Sequence, residues 1–429
     1  MKFGIYVHIP YCIQRCSYCD FATFEQHSIL PPAEYISVIL KEIELKERFF
    51  PKGALTSLYF GGGTPSLLQP MLLKSVIDRL KEKGFQLDQQ TEVTIEINPA
   101  TITSAKMDSY LSMGVNRFSV GAQTFKNSLL KHIRREHDAD QTRETLRLLR
   151  SYKVNFSFDI LFGLPHQTAQ DLQLDLEEVA QFQPHHVSPY CLTLPKGHHL
   201  NENRPTDDVQ IEMFEQISSF LQQRGYQPYE ISNFALPGYE SKHNSLYWSF
   251  DSYWGIGLSS HSFYNQQSQD LGFSSALGVD LNLTVPNETG LSKASKMTRF
   301  WNSNSLPTYI EQINNFQHAE NFTGNLPSNQ FEILSLREAL TDFCHVSLRT
   351  RSGLSLQKAQ SLFGTAAATE ILSRIHFVLE QQKKNSHVAN QEQSSNYVPY
   401  LEQYEPGIWR LSPSGILISN QIFADFLFS

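Results

Sequence analysis

The sequence predicts an α/β fold, a partial (β/α)6 barrel with a smaller C-terminal helical, winged-helix-like domain, from three observations. Roughly the first 230 residues alternate strand-like and helix-like segments, the pattern of a parallel sheet with covering helices. Six such units can be counted, which suits an open barrel better than a complete eight-fold one. After about residue 328 helical patterns return without alternating strands, and 429 residues exceed the roughly 150 of an average domain.

The predicted strands are 2–9, 56–60, 92–97, 115–120, 154–161 and 186–192. Amphipathic stretches at 33–49, 70–83, 103–112, 138–152 and 168–181 separate them, with apolar residues three and four apart. Successive strand residues point to opposite faces. In 155–161, Phe156, Phe158 and Ile160 share one face while Asn155, Ser157 and Asp159 share the other. In 92–98, Val93, Ile95 and Ile97 oppose Glu92, Thr94, Glu96 and Asn98. Helices cover the outside, so the polar side must face an interior that holds something polar, a cofactor cavity.

The barrel is assigned to 1–232. An aromatic-rich connecting region at 233–327 includes a low-charge stretch, 265–297, read as a loop insertion. A C-terminal domain at 328–429 contains helical segments from SNQFEILSLREALTDF to TAAATEILSRIHFVLEQQ, a polar stretch at 383–396, the strand-like GIWRLSP and a last helix at 413–428.

Composition narrows the functional classes. Lys+Arg 35 against Asp+Glu 43 leaves a net charge of −8 with no basic block, which argues against a nucleic-acid partner. No apolar run approaches the roughly 20 residues of a membrane span. The amino terminus lacks a signal core and cleavage site, so a cytoplasmic, reducing location is expected. Of 5 cysteines, Cys12, Cys16 and Cys19 crowd onto the loop after the first strand, which fits a metal site better than a disulfide framework.

Cys12-x3-Cys16-x2-Cys19 is the sharpest signal. Three thiolates on one loop can each bind one iron of a [4Fe–4S] cluster and leave the last iron open for another ligand. The alternative is a zinc knuckle completed by His8 or His27. Gly61-Gly62-Gly63-Thr64-Pro65 follows the second strand, where glycines let backbone approach a ligand closely or simply form a βα turn. Cys191 and Cys344 are isolated and read as structural, as do His185-His186 and His198-His199.

The cysteine spacing and its place resemble the radical S-adenosylmethionine (SAM) superfamily. That resemblance implies a radical SAM barrel in which SAM chelates the open iron and Gly62, Gly63 and Thr64 approach its methionyl group. Glu96, Gln123, Arg135 and Asp159 lie where the family holds SAM. Carboxylates suit ribose hydroxyls and an amino group, and an arginine suits a carboxylate. Tyr6 and Tyr18 are expected near the cluster and the adenine.

Within the superfamily, IYVHIPYCIQRCSYCDF, LYFGGGTPSLL, GVNRFSVGAQTF and DILFGLPHQT run in the order of the coproporphyrinogen dehydrogenase-like branch. Oxygen-independent coproporphyrinogen III oxidases carry a further cysteine two residues after the third, where this chain has Phe21. Cys19-Asp20-Phe21, together with His243-Asn244-Ser245-Leu246-Tyr247-Trp248 and the YEISNF segment before it, is similar to the HemW family of heme chaperones. The resemblance extends to Arg299-Phe300-Trp301-Asn302 and to LSPSGILISNQI. It departs at Leu258-Ser259-Ser260-His261, where the family has a small Gly/Ala pair before its histidine, and in the length of 265–297.

The resemblance implies a chaperone that binds heme, a [4Fe–4S] cluster and SAM, with His243 as candidate heme ligand. A neutral imidazole is a good axial ligand, and Tyr247 and Trp248 suit a flat macrocycle. Implied partners are heme-accepting proteins, membrane respiratory enzymes among them, through at most peripheral membrane contact; homodimer formation stays open. The alternatives are an oxidase that decarboxylates porphyrinogen propionates by radical SAM chemistry, against which Phe21 argues, and radical SAM chemistry on an unrelated small molecule.

Overall fold

The computed structural model describes residues 2–265, 297–316, 330–389 and 398–428. Six parallel strands lie side by side in chain order: β1 (Phe3–Ile9), β2 (Ser57–Gly62), β3 (Glu92–Ile97), β4 (Arg117–Gln123), β5 (Asn155–Phe162) and β6 (His186–Cys191). The helices between them include α1 (Pro32–Lys46), α2 (Pro70–Glu82), α3 (Ser104–Ser112), α4 (Asn127–His132), α5 (Ala139–Tyr152) and α6 (Ala169–Phe182). Local chemistry starts several of them. Asp138 and Gln141 form a capping box ahead of α5, and Thr168 with Asp171 forms another ahead of α6. The apolar strand faces are buried: Val93, Ile95 and Ile97 on β3, and Phe156, Phe158 and Ile160 on β5, join one core with Ile39, Leu73, Leu146 and Leu176 from the helices.

The sheet does not stop at residue 232. After α7 (Asp207–Gln222), β7 (Gln227–Glu230) and β8 (Asn233–Ala235) extend it antiparallel beyond β6. On the opposite edge, after α8 (Lys242–Trp248), β9 (Ser252–Ile256) pairs parallel with β1. Strands β10 (His261–Asn265), β11 (Met297–Trp301) and, after α9 (Leu306–Asn315), β12 (Phe331–Ile333) then continue antiparallel, giving a sheet of 12 strands among the described residues. Apart from its end residues, the expected insertion at 265–297 lies outside the described residues.

Two expectations are corrected in the C-terminal region. SNQFEILSLREALTDF is not helical throughout. Its Phe331–Ile333 pairs as a strand with β11, and the Ser335–Glu338 capping box starts α10 (Leu336–Leu348) only afterwards. Following α11 (Leu356–Phe363), α12 (Thr365–Ala389) runs into the polar stretch at 383–396, of which 390–396 lie outside the described residues. After the ribbon β13 (Leu401–Glu405) and β14 (Ile408–Leu411), the final helix is two short ones, α13 (Pro413–Leu417) and α14 (Ser419–Ala424). Ile418 between them leaves helical geometry at φ −117°. A second hydrophobic cluster joins these helices to Phe250, Phe263 and Met297 of the sheet extension. Among the described residues no helix is long and apolar enough to cross a membrane.

A buried ionic knot fixes the extension onto the barrel. Glu42, fully buried on α1, accepts from Lys46 Nζ at 2.7 Å, Asn302 Nδ2 at 2.7 Å, the Gly257 amide at 2.9 Å and Tyr309 Oη at 2.6 Å. Lys46 also donates to Asn302 Oδ1 at 2.9 Å. Both carboxylate oxygens and the ammonium are therefore hydrogen-bonded, which such a pair needs once water is removed. The Asn302 of the RFWN segment has a structural duty here. Glu42→Leu leaves Lys46 buried without its counter-ion and should destabilise the protein by about 3–5 kcal/mol, whereas Glu42→Leu with Lys46→Met should recover a large part of that loss; urea unfolding midpoints check both.

Candidate functional site

The carboxyl ends of the parallel strands and the loops after them surround a cavity of about 440 Å³. The cysteine loop leaves β1 and is held from below: the Ser17 amide donates to Ile133 O at 3.2 Å, and Arg15 Nη2 donates to Cys19 O at 2.8 Å. Cys12, Cys16 and Cys19 are half-buried free thiols that line this cavity. Arg135 Nη1 donates to Cys16 Sγ at 3.3 Å, and its Nη2 donates to the Gly121 carbonyl. That carbonyl is available because β4 is irregular between Val120 and Gln123, and Gln123 adopts a positive φ of 71°.

Gly62, Gly63 and Thr64 form the opposite wall. Gly62 has φ +112°, and a Cβ there would stand 2.5 Å from the His8 ring, so glycine is required on two counts. Its amide donates to Glu96 Oε2 at 2.9 Å, and Tyr59 Oη donates to Glu96 Oε1 at 2.8 Å. Burial pushes the Glu96 carboxyl up to about 7 against those bonds, with the nearby Asp159 adding to the rise. Burial likewise raises Asp159 to about 6, opposed by a bond from Ser188 and by the charges of Arg117 and Arg135. Thus two carboxyls poised near neutrality, a guanidinium and three thiols face one space.

The cavity brings together Cys12, Cys16, Cys19, Tyr18, Gly62, Gly63, Thr64, Glu96, Gln123, Arg135 and Asp159. Tyr6, expected near the cluster and the adenine, instead lines a second cavity of about 700 Å³, and His243, the candidate heme ligand, lines that cavity too. Phe21, Tyr59, Gly62, Glu96 and Asn244 border both, so the two spaces adjoin. The second is aromatic, with Tyr247, Trp248, Tyr253 and Phe263 among its lining. His243 is 2% exposed, and both ring nitrogens have partners: Nδ1 lies 2.8 Å from Ser57 Oγ and Nε2 2.8 Å from Tyr247 Oη. Burial lowers it to about 3, so it is neutral.

The donor set discriminates between the two metal readings. His8, one proposed fourth zinc ligand, has Nδ1 3.0 Å from Tyr6 Oη and Nε2 2.9 Å from Ala22 O. The other, His27, is an exposed partner of Glu25 at 3.7 Å. Among the described residues no three His, Cys, Asp or Glu side chains are arranged around a single ion. A cluster asks for something else, one sulfur per iron and positive charge nearby, which three thiols of one loop and Arg135 could supply.

Arg117 was not singled out from the sequence. Its side chain lines the barrel cavity while the residue is only 2% exposed, and its Nε, 3.9 Å from Glu92 Oε2, makes no hydrogen bond. The alternation in RFSVGAQ does signal it, since Arg117, Ser119 and Gly121 share the face opposite Phe118, Val120 and Ala122. Ser188, His186 and Tyr190 of β6 complete the polar wall.

A carboxyl whose folded pKa is raised contributes stability at low pH that is lost as pH climbs through the folded value. For Glu96 that window runs from the ordinary 4.5 to about 7. Glu96→Gln should therefore change stability little at about pH 4 and raise it by about 3 kcal/mol at about pH 8, read by thermal unfolding at the two pH values.

Residues 6–179 match the model of the radical SAM superfamily. The heme chaperone HemW of Buchnera aphidicola subsp. Schizaphis graminum (strain Sg) is 37% identical over 271 residues, covering 62% of this chain and 72% of the relative. The heme chaperone HemW of Escherichia coli (strain K12) is 33% identical over 262 residues, covering 60% and 69%. The structure of coproporphyrinogen III oxidase (HemN) from Escherichia coli, a radical SAM enzyme, superposes with a TM-score of 0.74 over 99% of this chain and 90% of that one. Its 20% identity makes this a likeness of fold. The cysteine loop, the open parallel barrel and these relatives agree: the chain belongs to the HemW family within the radical SAM superfamily.

Proposed function

We propose that this chain is a heme chaperone, which holds a [4Fe–4S] cluster on Cys12, Cys16 and Cys19 and SAM in the polar cavity, and keeps heme in the adjoining aromatic cavity for delivery to acceptor proteins. The observation that carries the reading is the pair of adjoining cavities with opposite chemistry. The polar one has three thiols at its mouth, and the other offers aromatic faces to a flat, apolar molecule. Phe21 supports the choice of chaperone over porphyrinogen oxidase: an aromatic ring that is 66% exposed stands at the boundary of both cavities where the oxidases carry a further cysteine.

In this reading Arg135 meets the carboxylate of SAM, while Glu96 and Asp159 take its amino group and ribose hydroxyls and Gln123 adds an amide. Gly62 and Gly63 leave room for the methionyl chain, and Tyr18 lies beside the cysteines. The bound cluster supplies an iron to which SAM can chelate. His243 and Tyr6 line the heme cavity, with His243 holding the Tyr247 hydroxyl. Acceptors in membrane respiratory complexes, reached from a cytoplasmic, soluble protein with at most peripheral membrane contact, fit the family relation; a homodimer is compatible with the same scheme.

Protein purified without oxygen should contain iron and sulfide, and replacing Cys12, Cys16 and Cys19 by serine should remove both while leaving the fold intact by circular dichroism. The same preparation should take up heme stoichiometrically. Zinc in place of iron and sulfide would overturn the cluster assignment. Failure to bind heme, with conversion of coproporphyrinogen in the presence of SAM and a reductant, would establish the oxidase instead.

A further inference from the structure

Among the described residues three histidines line the aromatic cavity, and they differ in one respect that decides which can meet a metal. His8 has both ring nitrogens engaged, by Tyr6 Oη and Ala22 O. His243 has both engaged, by Ser57 Oγ and Tyr247 Oη, and its ring lies against Tyr59 with centroids 4.9 Å apart. Its backbone amide is also tied, donating to Glu92 Oε1 at 3.0 Å. Turning the His243 imidazole toward a ligand would break a bond and strand a buried hydroxyl, a cost of about 1–3 kcal/mol for each group left unpaired.

His261 is the exception. It opens β10, is exposed, and its ring nitrogens make no hydrogen bond among the described residues. Its plane is fixed by its cross-strand neighbour Trp301, on which it stacks at 5.7 Å with 20° between rings. Partial burial and the charge of Arg299 hold its pKa below the usual histidine value, which keeps a lone pair available at neutral pH. The HNxxYW histidine, like His8, thus has both nitrogens occupied, whereas the histidine after the unusual Leu258-Ser259-Ser260 has neither bonded among the described residues.

We infer that His261 supplies the imidazole nitrogen that meets heme iron in the aromatic cavity, and that His243 is a positioning residue that holds Tyr247 in the wall. This assignment rests on the heme-binding reading above. The bond formed is a dative one from a neutral imidazole to iron, so no proton or electron is exchanged. Trp301 behind the ring limits its rotation, and Phe21 at the cavity lip offers an apolar face to the macrocycle.

The test uses the full chain titrated with heme without oxygen, followed by absorption and electron paramagnetic resonance spectra. His261→Ala should lose the histidine-ligated signature and bind heme roughly tenfold or more weakly. Added free imidazole should restore the signature, and His261→Met should shift it to that of a thioether ligand. Tyr247→Phe, which frees His243 Nε2 without removing an imidazole, should keep the wild-type ligand signature. His243→Ala should lower the thermal midpoint yet retain that signature in the folded fraction. The assignment is overturned if His261→Ala keeps the wild-type spectrum, or if His243→Ala alone abolishes it while the protein stays folded. Absence of heme binding by the wild type overturns the chaperone reading itself, a result distinct from either of these.

Discussion

The two-residue alternation of a covered parallel strand is the constraint on which this molecule depends. With helices on the outside, every second residue of β1 to β6 is committed to an apolar layer, and the intervening residues have nowhere to go but inward. Nature could fill that interior with hydrocarbon. Here it holds Glu96, Arg117, Asp159, His186 and Ser188, groups that lose hydration on folding and are stable only where partners meet them. Glu96 is met by Gly62 and Tyr59, but Arg117 retains an unbonded Nε, so the polar interior is incompletely satisfied by the protein alone. An interior built this way is suited to a polar guest.

A second consequence follows from how the sheet is extended. Because β9 pairs with β1, the chain after the barrel does not fold away as an independent unit; it carries the sheet outward through β10 to β12. The buried Glu42–Lys46–Asn302 knot fixes that extension to α1. The aromatic cavity lies against the barrel mouth for this reason, bounded by the cysteine loop on one side and by Tyr253 and Phe263 of the extension on the other. The second hydrophobic cluster, which includes Phe250, Phe263 and Phe343, packs the C-terminal helices behind it.

The order of strands and helices was legible because each element is written locally. The alternation in EVTIEI and NFSFDIL, and the 3.6-residue periodicity of α1, α2, α5 and α6, require no knowledge of distant residues. Most of the polar site was legible for a similar reason, since its residues sit at strand ends or on the loops that follow. The errors came where a short segment's fate depends on a remote partner. Phe331–Ile333 is a strand because β11 offers it an edge, although its sequence continues into a helical pattern. Alternation puts Arg117 on the inward face, but nothing local says that a strand arginine will be buried with its counter-ion almost 4 Å away. Tyr6 is expected beside the cysteines, whereas its ring contacts with His8, Tyr59 and His243 hold it in the neighbouring wall.

By itself the amino-acid sequence determined the cysteine trio, the inward faces of β3 and β5 and the starts of the barrel helices, because spacing and side-chain parity are properties of the local chain. The tertiary structure alone decided which imidazoles still have a lone pair to offer. His243 bonds Ser57, 186 positions away, and His8 bonds Ala22 across the cysteine loop, while the His261 ring stacks on Trp301 and has no hydrogen bond among the described residues. Hydrogen-bond saturation is set by what folding brings within 3 Å, and no local pattern encodes it.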